Sequence, residues 1–402
     1  MSWATSLKST GVALWSDGKG MILLAIAGGW GLSVGGRMIY SVLLPNIRGT
    51  YGMSLATAGL LLSALFLAYA VGQLPGGLLA DRVGERFTLV CSMFLSALAV
   101  GLILLSDSVE FLFGATVVFG LGIGMYTVAR FTALSNVYSD RFGTAVGLTN
   151  GTAEVGQALL PPLAAFIAVS VGWQLGFGFT VPLFLFLAVA LWLFVPGRSD
   201  DRSQAVDSLS VDTGLYILGK LNSPRIITGT VVFVLGIAVW QAFTGFYPTY
   251  LVEVKGLSTT TAGIVFGVFF ALSALMHPVS GFIYDRWGVK HAVALIVFSV
   301  AGFAALPFVG GVGPLLLTTT LLSVLLVFPT ALEAYLVNSI PEDIEGTGFG
   351  ILRTFVFAIS SLSPLLFGWV AEFASFDAVF FIFGGLLFLM VVVAFWLPVS
   401  EP

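Results

Sequence analysis

GLLADRVGER, residues 77–86, returns as GFIYDRWGVK, residues 281–290. Gly77, Asp81, Arg82, Gly84 and Arg86 of the first segment match Gly281, Asp285, Arg286, Gly288 and Lys290 of the second, with Asp81 and Asp285 204 positions apart. Pro45 and Pro248 stand 203 apart, as do Gly143 and Gly346, Gly147 and Gly350, and Pro161 and Pro364. A near-constant offset over five pairs reads as two homologous halves. Within each segment, glycine permits a tight turn and close helix approach, and aspartate can cap a helix or pair with the adjacent arginine.

What surrounds the two segments is apolar. Of 402 residues, 58% are hydrophobic and 9% charged, and the mean hydropathy is +1.05. A soluble domain carries about 25% charged residues, so this chain lacks the charge to cover a water-facing surface. Its apolar runs are long enough to cross a bilayer. Twelve spans are expected near 21–47, 54–80, 87–106, 111–137, 143–170, 174–195, 226–251, 259–283, 291–310, 314–338, 346–372 and 377–398. Residues 1–20 read as a cytoplasmic N-terminus with no signal-peptide core. Residues 21–197 form a first six-helix bundle, 198–225 a cytoplasmic linker and 226–402 a second bundle. Within the linker, Val211–Leu221 reads as a short amphipathic helix on the membrane surface.

Orientation follows from the basic residues. Of 16 Lys and Arg, 11 fall in the N-terminus, the linker and the loops after spans 2, 4 and 8, against two (Arg48 and Lys255) on the opposite side. The positive-inside rule then places both termini in the cytoplasm. One loop dissents: IPEDIEG, after span 10, carries three acids and no base.

The duplicated G-x-x-x-D-R-x-G-x-R/K loop, the twelve spans and the central linker resemble the major facilitator superfamily along nearly the whole chain. The resemblance implies an all-α fold of two pseudo-symmetric six-helix bundles that move a solute by alternating access. It also implies that the two loops latch the halves together in the outward-facing state, and that spans 1, 4, 7 and 10 line a central cavity.

Five ionisable residues lie well inside spans: Arg37, Arg130, Glu154, Glu333 and Arg353. His277 lies nearer a span end. Charge within a bilayer is expensive and marks a functional site by default, although these charges can also merely neutralise one another. At 1.5 Å per residue the depths of Arg130 and Glu154 differ by about 6 Å, and Glu333 and Arg353 are similarly matched. Each half is therefore expected to hold an Arg–Glu pair. Arg130 and Glu333 are also repeat equivalents and can instead face one another across the pseudo-twofold axis. On either pairing two glutamates satisfy two of three arginines, and Arg37 remains. Trp30, Arg37 and Tyr40 on span 1, Tyr126 and Arg130 on span 4, and Trp240, Gln241, Phe243 and Tyr247 on span 7 then outline an aromatic pocket with surplus positive charge. Such a pocket suits a small organic anion. Glu154 and Glu333 are the proton-coupling candidates, with Arg353, Asn150 and His277 as their charge-pair or relay partners.

Among branches of the superfamily, the chain is most similar to the anion:cation symporters. The likeness rests on Arg37, on GLLLSALFLAYAVGQLPGGLLADRVGER (59–86), and on Arg130 placed eleven residues before Arg141. It implies that arginines in spans 1 and 4 contact the anion. The chain departs from that group at Ile123 of GLGIG, where a glutamate is usual. GGWG (28–31) resembles the monocarboxylate carriers more weakly. Export of lipophilic cations is the alternative reading, and a non-transporting membrane sensor is the alternative of another class. The chain has two His and one Cys, and no metal-binding, nucleotide-binding or catalytic motif stands out. No enzyme activity, metal, cofactor or nucleic-acid partner is therefore expected, and the carrier is expected to work as a monomer in the inner membrane of a prokaryote.

Overall fold

The computed structural model describes residues 19–197 and 211–398. Most of the expected N-terminal segment and the first part of the linker fall outside them. Among the described residues twelve helices are long and apolar enough to cross a membrane: α1 Lys19–Tyr51, α2 Leu55–Val83, α3 Glu85–Leu104, α4 Val109–Val137, α5 Ser139–Val171 and α6 Trp173–Phe194 in the first half. In the second half they are α7 Pro224–Glu253, α8 Thr259–Trp287, α9 Val289–Phe308, α10 Val312–Val337, α11 Glu345–Phe373 and α12 Phe376–Phe395. Each lies within a few residues of its expected span. The linker helix occupies Val211–Leu221.

Backbone polar groups have no water to bond in a bilayer, so each span must satisfy its own. Serine does this at five helix starts. Ser54, Ser108, Ser223, Ser258 and Ser375 each accept a bond from the first turn of α2, α4, α7, α8 and α12. At the other end of α2 and α8, Gly84 and Gly288 have φ of 94° and 80°. Their amides donate to Ala80 and Tyr284, and the next helix starts at once. Only glycine adopts that backbone without strain, which is why both copies of the repeated loop keep it. Arg86 lies 4.4 Å from the ring of Trp192 in α6, and Arg286 lies 5.3 Å from that of Trp287. Glu85 accepts a bond from Asn136 at the end of α4.

The end of the bundle that carries the linker and both repeated loops is here the linker end; the opposite one is the far end. The two halves are packed together at the far end along two seams, α2 against α11 and α5 against α8. A Cβ added at Gly59 or Gly368 would come within 2.3 Å of the Pro364 carbonyl or 2.2 Å of the Leu55 carbonyl, and one at Gly267 within 2.4 Å of the Ala158 carbonyl. Polar contacts reinforce the seams. Arg48 at the end of α1 pairs with Glu253 at the end of α7. Glu372 accepts a bond from the Ala56 amide, and Ser63 one from the Leu365 amide.

Two helices are broken where they meet the space between the halves. In α10, a 3₁₀ turn at Val324–Val327 precedes Pro329. In α11, the helix breaks around Ser361–Leu362 before Pro364. Proline lacks an amide hydrogen and crowds the preceding turn, so it distorts a helix interior.

Candidate functional site

A cavity of about 520 Å³ lies between the halves. Its wall includes Trp30, Val34 and Arg37 of α1, Tyr69 of α2, Asn150, Glu154 and Gln157 of α5, and Ile237 and Trp240 of α7. His277 of α8, Thr330 and Glu333 of α10, and Arg353 and Phe357 of α11 also line it. Most of these positions lie in the half of their helix nearer the linker end, with Tyr69, Arg37, Gln157 and Trp240 at or just past the middle. The cavity is therefore closed off by the packed seams at the far end.

Arg37 is 5% exposed. Its guanidinium lies 4.9 Å from the ring centre of Tyr69, 5.3 Å from that of Phe66 and 5.3 Å from that of Trp240. The first two rings belong to α2 and the third to α7, so both halves wall it. Each ring face attracts a cation by about 0.5–2 kcal/mol, which offsets part of the cost of burial. Among the described residues no carboxylate lies within ion-pair distance of Arg37, and its Nε has no hydrogen-bond partner.

Arg130 is 1% exposed and stands one layer back. It stacks 4.1 Å over Trp30 and 4.3 Å over Phe131, and donates to Thr149 Oγ1 at 2.8 Å and Asn150 Oδ1 at 3.1 Å. The expected Arg130–Glu154 pair does not form. Depth along a helix placed the two within reach, but the azimuth of α5 turns Thr149 and Asn150 toward Arg130 and Glu154 toward the other half. There Glu154 Oε1 meets His277 Nε2 at 3.3 Å. The second pair does form, loosely: Arg353 lies 3.9 Å from Glu333. Arg353 is also close enough to act electrostatically on both Arg37 and Arg130. Three guanidinium groups thus share the region with two carboxylates.

Several buried polar atoms on residues of the cavity wall have no hydrogen-bond partner among the described residues. The donors are Trp30 Nε1, Trp240 Nε1 and Arg37 Nε; the acceptors are Glu154 Oε2 and Gln157 Oε1. Buried polar groups are normally paired, so unpartnered atoms concentrated on the residues of one cavity wall are unusual.

Of the expected pocket residues, Trp30, Arg37, Trp240, Asn150, Glu154, His277, Glu333 and Arg353 meet at this wall. Six others do not reach it: Arg130, one layer back, and Tyr40, Tyr126, Gln241, Phe243 and Tyr247. Tyr40 donates to Thr116 and packs on Phe119 and Phe177, inside the first half. Tyr247 bonds Thr319 at 2.6 Å, and Phe243 packs against Phe269, Phe303 and Tyr247, inside the second. Tyr126 stacks on Trp30 and donates to the Ile26 carbonyl. A three-residue step along a helix turns a side chain some 60° off the face it started from, and that rotation takes Tyr40 from the cavity to α4. Gln241 is buried with both amide atoms unpartnered among the described residues. Phe66, Tyr69, Gln157 and Thr330 escaped the sequence reading. Gln157 had a signal, being an amide in an apolar run three residues after Glu154; the rings around Arg37 had none in a chain with 36 phenylalanines. Among the described residues no cluster of His, Cys, Asp and Glu has a metal-holding arrangement.

Twelve spans, two related bundles and a solute-sized cavity between them with charged and polar groups on its wall define a membrane carrier. The chain belongs to the Major Facilitator Superfamily, whose family model matches residues 26–328 and 259–402. It is therefore an integral membrane protein of a transporter family. It is 23% identical to the Hexuronate transporter of Bacillus subtilis over 371 residues, 87% of each chain. To the Cupriavidus necator protein named Probable sulfoacetate transporter it is 26% identical over 381 residues, again 87% of each. In fold it is similar to the crystal structure of a bacterial homologue of the human lysosomal transporter Spinster, inward-facing and occupied. That likeness has a TM-score of 0.76 at 16% identity and covers 94% of this chain and 96% of the other.

Proposed function

We propose that this protein carries a small hydroxylated organic acid, in its anionic form, across a bacterial cell membrane by alternating access. The observation that carries the reading is Arg37: a buried guanidinium on the cavity wall, held by rings of both halves and without a carboxylate among the described residues. A carboxylate can take two parallel bonds from such a group. The unpartnered acceptors Glu154 Oε2 and Gln157 Oε1 add a second demand, since they call for donors on the solute. Hydroxyl groups supply donors; nitrate and sulfoacetate do not. The named hexuronate relative is in keeping with this chemistry. A lipophilic cation would instead face three guanidinium groups.

Both termini lie in the cytoplasm on this reading, as the excess of basic residues at the linker end requires. The carrier works as a monomer. Energy comes from a proton gradient, with Glu154 or Glu333 as the carboxylate involved. The loops at 77–86 and 281–290 latch the halves when the linker end closes.

The test is a panel of glucuronate, glucarate, nitrate and tetraphenylphosphonium, applied to the purified protein by thermal shift and then in proteoliposomes with an imposed proton gradient. Ligands that bind the folded state raise its stability. The hydroxy acids are expected to stabilise the protein and be taken up, and Arg37→Ala to abolish uptake while the protein still folds. Transport of the phosphonium cation by both wild type and Arg37→Ala sinks the proposal.

A further inference from the structure

His277 and Glu154 sit on opposite halves, so their contact spans the α5–α8 seam. Toward the far end that seam is tight, with Ala158 against Gly267 and Ala165 against Gly263. From there to the bridge the chain advances four residues on α5, from 158 to 154, but ten on α8, from 267 to 277. Glu154 and His277 meet across the seam by their side chains where the cavity begins. A rocking motion of the halves changes the separation there.

The bridge is built to accept either protonation state of the imidazole. Nε2 faces Glu154 Oε1 at 3.3 Å, and Nδ1 faces Thr330 Oγ1 at 3.0 Å. A hydroxyl both donates and accepts. With neutral imidazole carrying its hydrogen on Nε2, Thr330 donates to Nδ1; when Nδ1 takes a proton, the hydroxyl turns and accepts it. The side chains are 34% and 16% exposed, so protons reach them from water in the cavity. Imidazole is the side chain whose ordinary titration falls between pH 5 and 8.

The charged and titratable groups around His277 come from every side of the cavity. α5 presents Glu154, α10 Glu333, α11 Arg353, α1 Arg37 and α2 Tyr69. From α7 the facing residues are Ile237 and Trp240. On α8 itself Asp285 and Arg286 lie two turns further along, and Lys290 and His291 of α9 beyond them, His291 being bonded to the Trp287 carbonyl. Glu154 is the one of these groups bonded to the imidazole among the described residues.

We propose that the His277–Glu154 bridge is a proton site shared by the two halves: His277 takes up one proton, and the resulting imidazolium–carboxylate pair favours the conformation closed at the far end. This deepens the proposed function by narrowing proton coupling to one site, and it rests on that reading only for the use of two conformations. Because Glu154 keeps Oε2 free of partners, the same carboxylate accepts from the solute on one side and from His277 on the other. Proton and solute are then linked through a single group. The linkage follows because the protonated pair belongs to one conformer, so acid shifts the population toward that conformer.

The test needs no substrate. In a Cys91→Ser background, spin labels at Ser135→Cys and Thr347→Cys report the separation of the halves at the linker end. Pulsed EPR on the full chain in liposomes at pH about 5.5 and about 8 brackets the ordinary imidazole range. Acid is expected to raise the ratio of the long-distance population to the short one about two- to fivefold, the scale of a part-exposed pair. His277→Gln, which preserves both hydrogen bonds but cannot take up the proton, and Glu154→Gln are each expected to lose that response. A wild type without the response, or His277→Gln with it intact, overturns the proposal. If glucuronate and glucarate prove not to be transported, the proposed function fails while this readout still decides the proton site.

Discussion

At the scale of single residues, Arg37 and Arg130 divide what looked like one task. Arg130 has Thr149, Asn150, Trp30 and Phe131 as partners, so it holds the indole and the amide that border the cavity. Arg37 has three ring faces and, among the described residues, an Nε without a hydrogen-bond partner. A planar guanidinium can lie between rings and still offer parallel donors to a carboxylate, whereas an ammonium is a compact, strongly hydrated point charge. Arg37→Lys is therefore expected to be far from conservative. A hydrogen bond to a charged group contributes about 1.5–3 kcal/mol, so the affinity for glucuronate, measured by titration calorimetry, should fall about 10- to 100-fold with little change in melting temperature. The need for an unpaired arginine was legible in the sequence by counting charges. Its ring partners were not, because Phe66 and Tyr69 are ordinary residues until the packing of α2 brings them to α1.

At the scale of elements, the linker helix explains the acidic loop that broke the charge pattern. Tyr216 donates to Asp343 at 2.7 Å, Ile217 is buried, and Leu221 lies beside Gly348 at the start of α11. The Tyr216 hydroxyl, aided by Lys220, holds the Asp343 carboxyl below its ordinary value. A group shifted down contributes stability that is present above its unfolded pKa and lost as the pH falls through the lowered one. Hydrogen exchange over residues 211–221 is thus expected to be slow at neutral pH and to quicken, relative to its intrinsic rate, once the pH drops below the ordinary carboxylate range. In Tyr216→Phe exchange should be faster at neutral pH, and the acid step should shrink. Equal protection in wild type and variant at pH about 7 would count against this docking contact. The helix itself was legible from its amphipathic pattern; where it docks was not, since residues 216 and 343 are far apart in the chain.

At the scale of the whole molecule, the two seams at the far end set the conformation. Gly59 and Gly368 bring the backbones of α2 and α11 together, and any side chain there meets a carbonyl. Valine at 368 would have to push the seam open. Gly368→Val is expected to deplete the far-end-closed population in the same spin-label measurement and to stop transport, while the protein still inserts and purifies as a folded species. An unchanged distance distribution would show that the seam tolerates the added bulk. The Arg48–Glu253 pair is part-exposed and, at about 0.2–1 kcal/mol, is a minor contributor beside backbone contact.

By itself, the sequence determined the twelve spans, the twofold repeat with its loop glycines, the surplus of buried positive charge and the family. These follow from one-dimensional properties: the length of apolar runs, a constant offset and a charge count. The Arg353–Glu333 pair was legible from depth alone, but only the tertiary structure decided where Glu154 and several aromatic side chains turn. Glu154 and Arg130 match in depth, yet Glu154 turns to His277 on the other half, and Tyr40, Phe243 and Tyr247 turn into the interiors of their bundles. Depth follows from position along a helix, but azimuth follows from how twelve helices pack. A rotation of a third of a turn costs nothing in the hydropathy pattern of a helix apolar on every side, so the pattern carries no record of it.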